Sequence, residues 1–198
     1  MDNECQDIAQ ELSQGHLVAC SDGAYAKKTA TSSHAQVFAS GLVCNIVATG
    51  VGPVDGHPAL LSSYRSELSG ILAALYIVFH ICQHYNITMG QMTLYCDNKG
   101  ALRNSFCPIK EGITPYLSTD HDLIELVQHL LSLIPITIAT EWVKGNYTGR
   151  NREYKHDLND KADCLARDYQ QLQMLHYTIP CPIKPPILAL GFFGITLS

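Results

Sequence analysis

The chain has no C-x-x-C pair, no internal repeat, no low-complexity segment and no excess of positive charge. Each absence removes a class of protein. Its eight cysteines, Cys5, Cys20, Cys44, Cys82, Cys96, Cys107, Cys164 and Cys181, are scattered and mostly lie inside apolar runs. They read as buried free thiols in a reducing compartment rather than as a disulfide framework. Charged residues make up only 16% and sum to −5, with a pI near 5.9. That argues against tight, unassisted binding to a polyanion, because sequence-independent affinity for nucleic acid comes from Lys and Arg neutralising phosphates. Acids that hold metal ions escape the argument, since such a cluster is a net positive site once loaded. No apolar stretch reaches the ~18 residues that span a bilayer, and Met1 to Ser13 carries acids without the apolar core of a signal peptide. The expectation is a soluble intracellular protein with no membrane partner. With 198 residues and 46% hydrophobic composition, one domain with a sizeable core is expected over 1–178, followed over 179–198 by a Pro-rich linker and a short apolar tail.

What the chain does have is an unusually apolar helix pattern beginning at Ser66. Leu68, Leu72, Leu75, Phe79 and Cys82 recur at helical spacing, and Ile71, Ala74 and Val78 widen the stripe over most of the circumference. Such a helix packs against a sheet. Glu67 stands near its start, on the face that the apolar residues bury. A buried carboxylate stays ionised only beside a partner or a cation.

In chain order, Asp7 to Ser13 reads as a short amphipathic helix stopped by Gly15, and Leu17 to Gly23 as a strand that places Val18, Cys20 and Asp22 on one side. Ala35 to Ser40 and Leu42 to Ala48 are β-prone, with Gly41 fitting a bulge, bend or turn, so an antiparallel meander is expected. Gly50 to Pro58 reads as a loop, leading through Ser62 and Ser63 as candidate N-caps into the apolar helix. Gln91 to Asn98 is the next strand, with Met92, Leu94 and Cys96 on one face and Asp97 at its carboxyl end, where sites form in α/β sheets. A short helix over Lys99 to Asn104, a loop from Phe106 to Thr119, a helix from Asp120 ending before Pro135 and a strand over Ile136 to Val143 follow. Gly145 to His156 is a polar, basic loop, and the final helix spans Leu158 to Leu175 with Leu158, Ala162, Leu165, Ala166, Tyr169 and Leu172 as its buried stripe. The result is a mixed five-stranded sheet flanked by helices.

Several residues have plain structural readings. His80 and His84 stand i, i+4 but have no third ligand in register, so they read as a helix face rather than a zinc site. Asp120 and Asp122 read as cap and dipole partners, and Trp142 as core. Ile187 to Leu197 reads as a small hairpin or docking strand, and the whole as a fragment or relic of a longer polyprotein.

The ordered segments Ser21-Asp22-Gly23, Arg65-Ser66-Glu67-Leu68, Cys96-Asp97-Asn98, Glu141-Trp142-Val143-Lys144-Gly145 and Asn159-Asp160-Lys161-Ala162-Asp163-Cys164-Leu165-Ala166 resemble type 1 ribonuclease H. They look most like the ribonuclease H domains of retroelement reverse transcriptase polyproteins. The resemblance spans about Leu17 to Tyr169. It implies an α/β ribonuclease H-like fold and hydrolysis of the RNA strand of an RNA–DNA hybrid to a 5′-phosphate and a 3′-hydroxyl.

It also implies that Asp22, Glu67, Asp97 and Asp163 are metal-binding catalytic carboxylates, with Asp160 in the family's non-catalytic acid position. The cofactor implied is a pair of Mg²⁺ ions, ~4 Å apart, with Mn²⁺ as a substitute, clamping the attacking water and the leaving oxygen. Where the family usually has a His after Trp-Val-x-Gly, this chain has Asn146, and His156 is the nearest replacement for the turnover role. No basic helical protrusion is present, so affinity for hybrid would come from a neighbouring domain of a polyprotein and from the Lys144 to Lys155 loop. Two alternatives stand beside the active nuclease. One is an inactive spacer or interaction module; the other is a ribonuclease H-like DNA nuclease or integrase, disfavoured because the closing motif ends in Asp-x-Leu-Ala rather than in a catalytic Glu.

Overall fold

Helix and strand follow one another in the expected order in a computed structural model that describes residues 2–107 and 120–176. The elements are α1 (Asp2–Gln14), β1 (Leu17–Ala26), β2 (Thr31–Ser40), β3 (Asn45–Pro53), α2 (Ser63–His84), β4 (Gln91–Cys96), α3 (Lys99–Phe106), α4 (His121–Leu133), β5 (Thr137–Trp142) and α5 (Tyr154–His176). They build one sheet in the order β3-β2-β1-β4-β5. The first three strands form an antiparallel meander, and β4 and β5 run parallel to β1. The segment 108–119, the linker and tail over 179–198, and Cys181 lie outside the described residues.

The two faces of the sheet are covered unequally. Leu68, Ile71, Leu75 and Val78 of α2, all fully buried, pack with Leu12 of α1 and Val127 of α4 against Phe38, Met92 and Leu94. Each such side chain contributes roughly 1.5–3 kcal/mol through burial. The opposite face is closed by α5, whose Leu158 and Ala162 meet Cys20, Val37, Ala39 and Val143, while its Ala166 meets Ala24 and Ala35. Covered on both sides, β2 is buried along its whole length.

Four expectations change. β3 continues to Pro53 through what reads as a loop, because Gly50 and Gly52 are sites of close approach: an added Cβ would lie 2.9 Å from the Gln36 amide and 2.9 Å from the His34 ring on β2. Burial of thiols holds for Cys20, Cys82 and Cys96, whereas Cys44, Cys107 and Cys164 are exposed. Leu172 lies on the solvent side of α5 at 55% exposure, beyond the reach of the sheet that buries Leu158 and Ala162. Ser63–His84 is long and apolar enough to cross a membrane by length and composition, but most of that stretch is buried as the core helix of the fold. His80, on this helix, meets Tyr76 and Phe79 edge-on at ring distances of 4.3 and 5.3 Å.

What positions the functional region is the contact between β1 and the start of α2. The Ser62 hydroxyl caps α2 by accepting from the Arg65 N–H at 3.0 Å. Ser66 ties the first turn to the sheet through the Ser32 hydroxyl at 2.6 Å and the Ala24 carbonyl at 3.3 Å. Gly23 makes this approach possible, since a Cβ there would stand 2.5 Å from the Ser66 backbone. Arg65, buried, pairs with Asp120 at 3.3 Å and Asp122 at 2.6 Å and donates from Nε to the Asp55 carbonyl, so the two acids at the start of α4 serve an interhelical ion pair. Asp120 occupies the N-cap position without a side-chain cap bond.

Gly23→Ala should force β1 and α2 apart at a cost of roughly 1–3 kcal/mol. Urea denaturation checks this: the midpoint should fall with an unchanged slope, and an unchanged midpoint would mean that the contact is not tight.

Candidate metal centre

Ser21 of β1 pairs with Cys96 of the parallel strand β4, so the next residue on each, Asp22 and Asp97, stand at the point where the two strands part. β4 ends there and β1 continues alongside β2 alone. This fork at the carboxyl end of parallel strands is a crevice by construction. Glu67 reaches it from the second turn of α2, and Asp163 from the middle of α5, which begins at Tyr154, four residues earlier than the sequence pattern suggests. Asp22, Glu67 and Asp97 thus interact with one another at the fork, and Asp163 acts on Asp22 and Asp97 from α5.

Their burial makes the arrangement costly. Asp22 is 5% exposed and Glu67 7% exposed, and their carboxyl groups hydrogen-bond to each other. Burial pushes the Asp22 carboxyl up to about 7, helped by the charges of Asp97 and Asp163 and opposed by the Gly23 N–H, which donates to Oδ1 at 2.6 Å. Glu67 is pushed well above the usual carboxylate range by burial and then by Asp22 and Asp97. Burial raises Asp97 too, with Asp163 adding to it. Asp163 is raised by burial and by Asp160, against the pull of the Arg167 guanidinium 2.6 Å away. Like charges crowded in a low-dielectric place keep protons unless a cation replaces them.

The donor set fits a divalent metal. Hard carboxylate oxygens dominate it, as Mg²⁺ and Mn²⁺ require. Ligand atoms of Glu67, Cys96 and Asp97 all lie within 4.8 Å of one another. Cys96 was not among the expected site residues; its thiol donates to Glu67 Oε2 at 3.7 Å and accepts from the Asn98 N–H at 3.4 Å. The signal was its inward position in the Met92, Leu94, Cys96 alternation, directly before Asp97.

The remaining candidates fall around this centre. Asp160 turns outward and pairs with Arg152 at 2.7 Å, and Arg152 also holds Asp157 and the Tyr147 carbonyl, so both acids pin the loop before α5. His156 lies two turns of α5 before Asp163, buried, stacked on Tyr147 at 4.3 Å between ring centroids, with Nδ1 at the Glu153 backbone. Asn159, also buried, accepts from the Cys20 thiol at 3.7 Å. Trp142 is not core: β5 is an edge strand, and the ring is 40% exposed, with its indole N–H donating to the Asp97 carbonyl at 2.8 Å. Gly145 packs so closely on the Asp97 carboxylate that a Cβ would overlap Oδ2.

No protein-family model matches the chain, and no curated protein matches it in sequence. Solved structures do match. The N-terminal ribonuclease H domain of a Mycobacterium tuberculosis protein is 18% identical, with 81% of this chain and 96% of that one covered and a TM-score of 0.53. Ribonuclease H1 of the halophilic archaeon Halobacterium salinarum is 17% identical, covering 77% and 98%, with a TM-score of 0.53. LC11 ribonuclease H1, solved in complex with an RNA/DNA hybrid, is 10% identical, covering 80% and 99%, with a TM-score of 0.57. The chain has the ribonuclease H fold. At these identities the likeness concerns architecture, and the ribonuclease H fold here spans β1 to α5 with a mixed five-stranded sheet flanked by helices.

The shifted carboxylates fix the sign of the pH dependence. Asp22 has a folded value near 7 against an ordinary 3.8, so between those values the folded chain holds more protons than the unfolded one. Stability without metal therefore falls as pH rises through that window. With chelator present, calorimetry should give a melting midpoint several degrees higher at pH 5 than at pH 8, and Asp97→Asn should narrow the gap by raising the pH 8 midpoint. A midpoint lowered by Asp97→Asn at pH 8 would contradict the repulsion.

Proposed function

We propose that this chain is a metal-dependent endonuclease that hydrolyses the RNA strand of RNA–DNA hybrids. The observation that carries the reading is the convergence of Asp22, Glu67, Asp97 and Asp163, from four elements, on the fork between β1 and β4. The ribonuclease H fold and the hybrid bound by one structural neighbour give the substrate class its support. Asp22 and Asp97 would hold both of two divalent cations, Mg²⁺ or Mn²⁺, with Glu67 and Asp163 each favouring one. When bound, such a pair supplies charge stabilisation for the attacking water and the leaving oxygen of an in-line phosphoryl displacement.

The chain's own residues supply position. Gly23 lets α2 bring Glu67 beside Asp22, the Gly23 N–H orients Asp22, and Trp142 and Gly145 lock the backbone and carboxylate of Asp97. His156, the counterpart proposed for the usual loop histidine, acts in this reading as a positioning residue that fixes Tyr147 and the turn at Glu153. The ordered motifs favour an origin in a retroelement polyprotein. There a reverse transcriptase domain would add affinity that a chain of net charge −5 lacks.

One observation favours the second reading, an inactive module: Arg167 pairs with Asp163 at 2.6 Å and offers that carboxylate a cation of the protein's own. Cleavage assays on labelled RNA–DNA hybrid, double-stranded RNA and double-stranded DNA, with Mg²⁺ and with chelator, separate the readings. Hybrid should be cut in Mg²⁺ and left intact in chelator. Equal cutting of hybrid and duplex DNA would favour a DNA nuclease, and no cutting by folded, metal-loaded protein would favour the module.

Within the active reading, Asp163→Asn should lose most of the turnover, whereas Asp160→Asn should stay close to the parent because its ion pair with Arg152 is exposed and Asp157 still holds that arginine. The reverse ranking would show that the wrong acid of the closing motif has been placed at the centre.

A further inference from the structure

Beside the metal centre runs an open groove of about 400 Å³, lined by Trp142, Lys144, Tyr147, Asn151, Lys155 and His156 together with Glu153, whose carboxylate is paired with Lys155. It is joined to the centre through the Trp142 N–H on the Asp97 carbonyl and through Gly145 against the Asp97 carboxylate. Its far wall is fastened, since Arg152 holds the Tyr147 carbonyl and His156 stacks on the Tyr147 ring. The sequence alone marks the whole Lys144 to Lys155 loop as basic, but two of its cations are already paired. Arg152 is neutralised by Asp157 and Asp160, and Lys155 by Glu141 and Glu153.

Lys99 and Lys144 are held differently. The Lys99 ammonium stands 4.0 Å above the Trp142 ring, and that of Lys144 stands 5.9 Å from the Tyr147 ring. Among the described residues neither forms an ion pair with a carboxylate. A cation parked on an aromatic face is restrained without being neutralised, and its N–H donors remain open to an anion. Trp142 is a large ring on an edge strand, 40% exposed, yet fixed by its N–H bond beside Asp97. That is a poor use of an indole for stability, and a direct way to hold a charge at a set distance from the metal centre.

We infer that Lys99 and Lys144, set on Trp142 and Tyr147, form a phosphate-binding rail that takes the sugar–phosphate backbone of one nucleic-acid strand next to the scissile position. The inference deepens the nuclease reading and rests on it for the identity of the strand. It predicts that most of the salt-dependent affinity of this acidic chain comes from two side chains on two elements, α3 and the loop after β5, rather than from the paired Arg152 and Lys155 of that loop.

The test is binding of a fluorescent RNA–DNA hybrid, followed by anisotropy from low to moderate salt with Ca²⁺ and with chelator, so that no turnover is needed. Lys99→Met with Lys144→Met keeps the apolar stems and removes two charges. The expected result is about a tenfold or greater loss of affinity, with the log–log salt slope reduced by about two, since each phosphate contact contributes ~0.9. Gln14→Glu with Gln83→Glu changes the net charge by the same amount at exposed positions near the ends of α1 and α2, away from the fork, and should leave affinity and slope near the parent's. Parental affinity and slope in the lysine variant, an equal loss in the glutamine variant, or a parent that binds no hybrid would each overturn the rail. A parent that binds through the rail yet cuts nothing would remove the nuclease reading alone, and a parent that cuts with its salt slope indifferent to both lysines would remove the rail alone.

Discussion

Four carboxylates that repel one another at the fork of two parallel strands are the constraint on which the rest of this structure depends. Asp22 with a value raised to about 7 and Glu67 raised well above the usual carboxylate range represent free energy set against folding at neutral pH. An arrangement of that kind persists only when the surrounding packing determines it. The packing here does so from both faces: α2 presses Glu67 inward over the fully buried Leu68 and Ile71, and α5 brings Asp163 across over Leu158 and Ala162.

The supporting shell is made of small residues and backbone groups. Gly23 and Gly70 allow α2 to lie against the very stretch of β1 that carries Asp22, and Ser66 bonds the two together. On the other flank, Gly145 and the Trp142 N–H hold Asp97 from the loop after β5. Arg65 then anchors the first turn of α2, just before Glu67, to the start of α4. Rigidity of this kind suits a site that must hold its ligands before a cation arrives.

Much of this was legible in the sequence because it is local. An acid at a strand end, an acid opening an apolar helix and an acid after Met92, Leu94 and Cys96 are each set by short-range periodicity, and a mixed five-stranded sheet flanked by helices followed from the sequence of elements. What escaped depends on contacts between distant segments. Gly50 and Gly52 read as turn residues until His34 and Gln36 are seen to need their space. Asp120 and Asp122 read as cap acids until Arg65, more than fifty residues earlier, claims them. Trp142 reads as core because no local pattern reveals that β5 is the edge of the sheet. The fate of each loop cation depends in the same way on which acid or ring it meets.

The proposed cation site holds four acids together against their own charge. Calorimetric titration of Mg²⁺ at pH 6.5, repeated in two buffers of different ionisation enthalpy, tests it directly, because the difference in apparent heat counts the protons exchanged. Mg²⁺ binding should release protons, as raised carboxyl groups surrender them to the metal, and Asp22→Asn should diminish both the binding and the release. Binding with no proton release, or binding unaffected by Asp22→Asn, would contradict it.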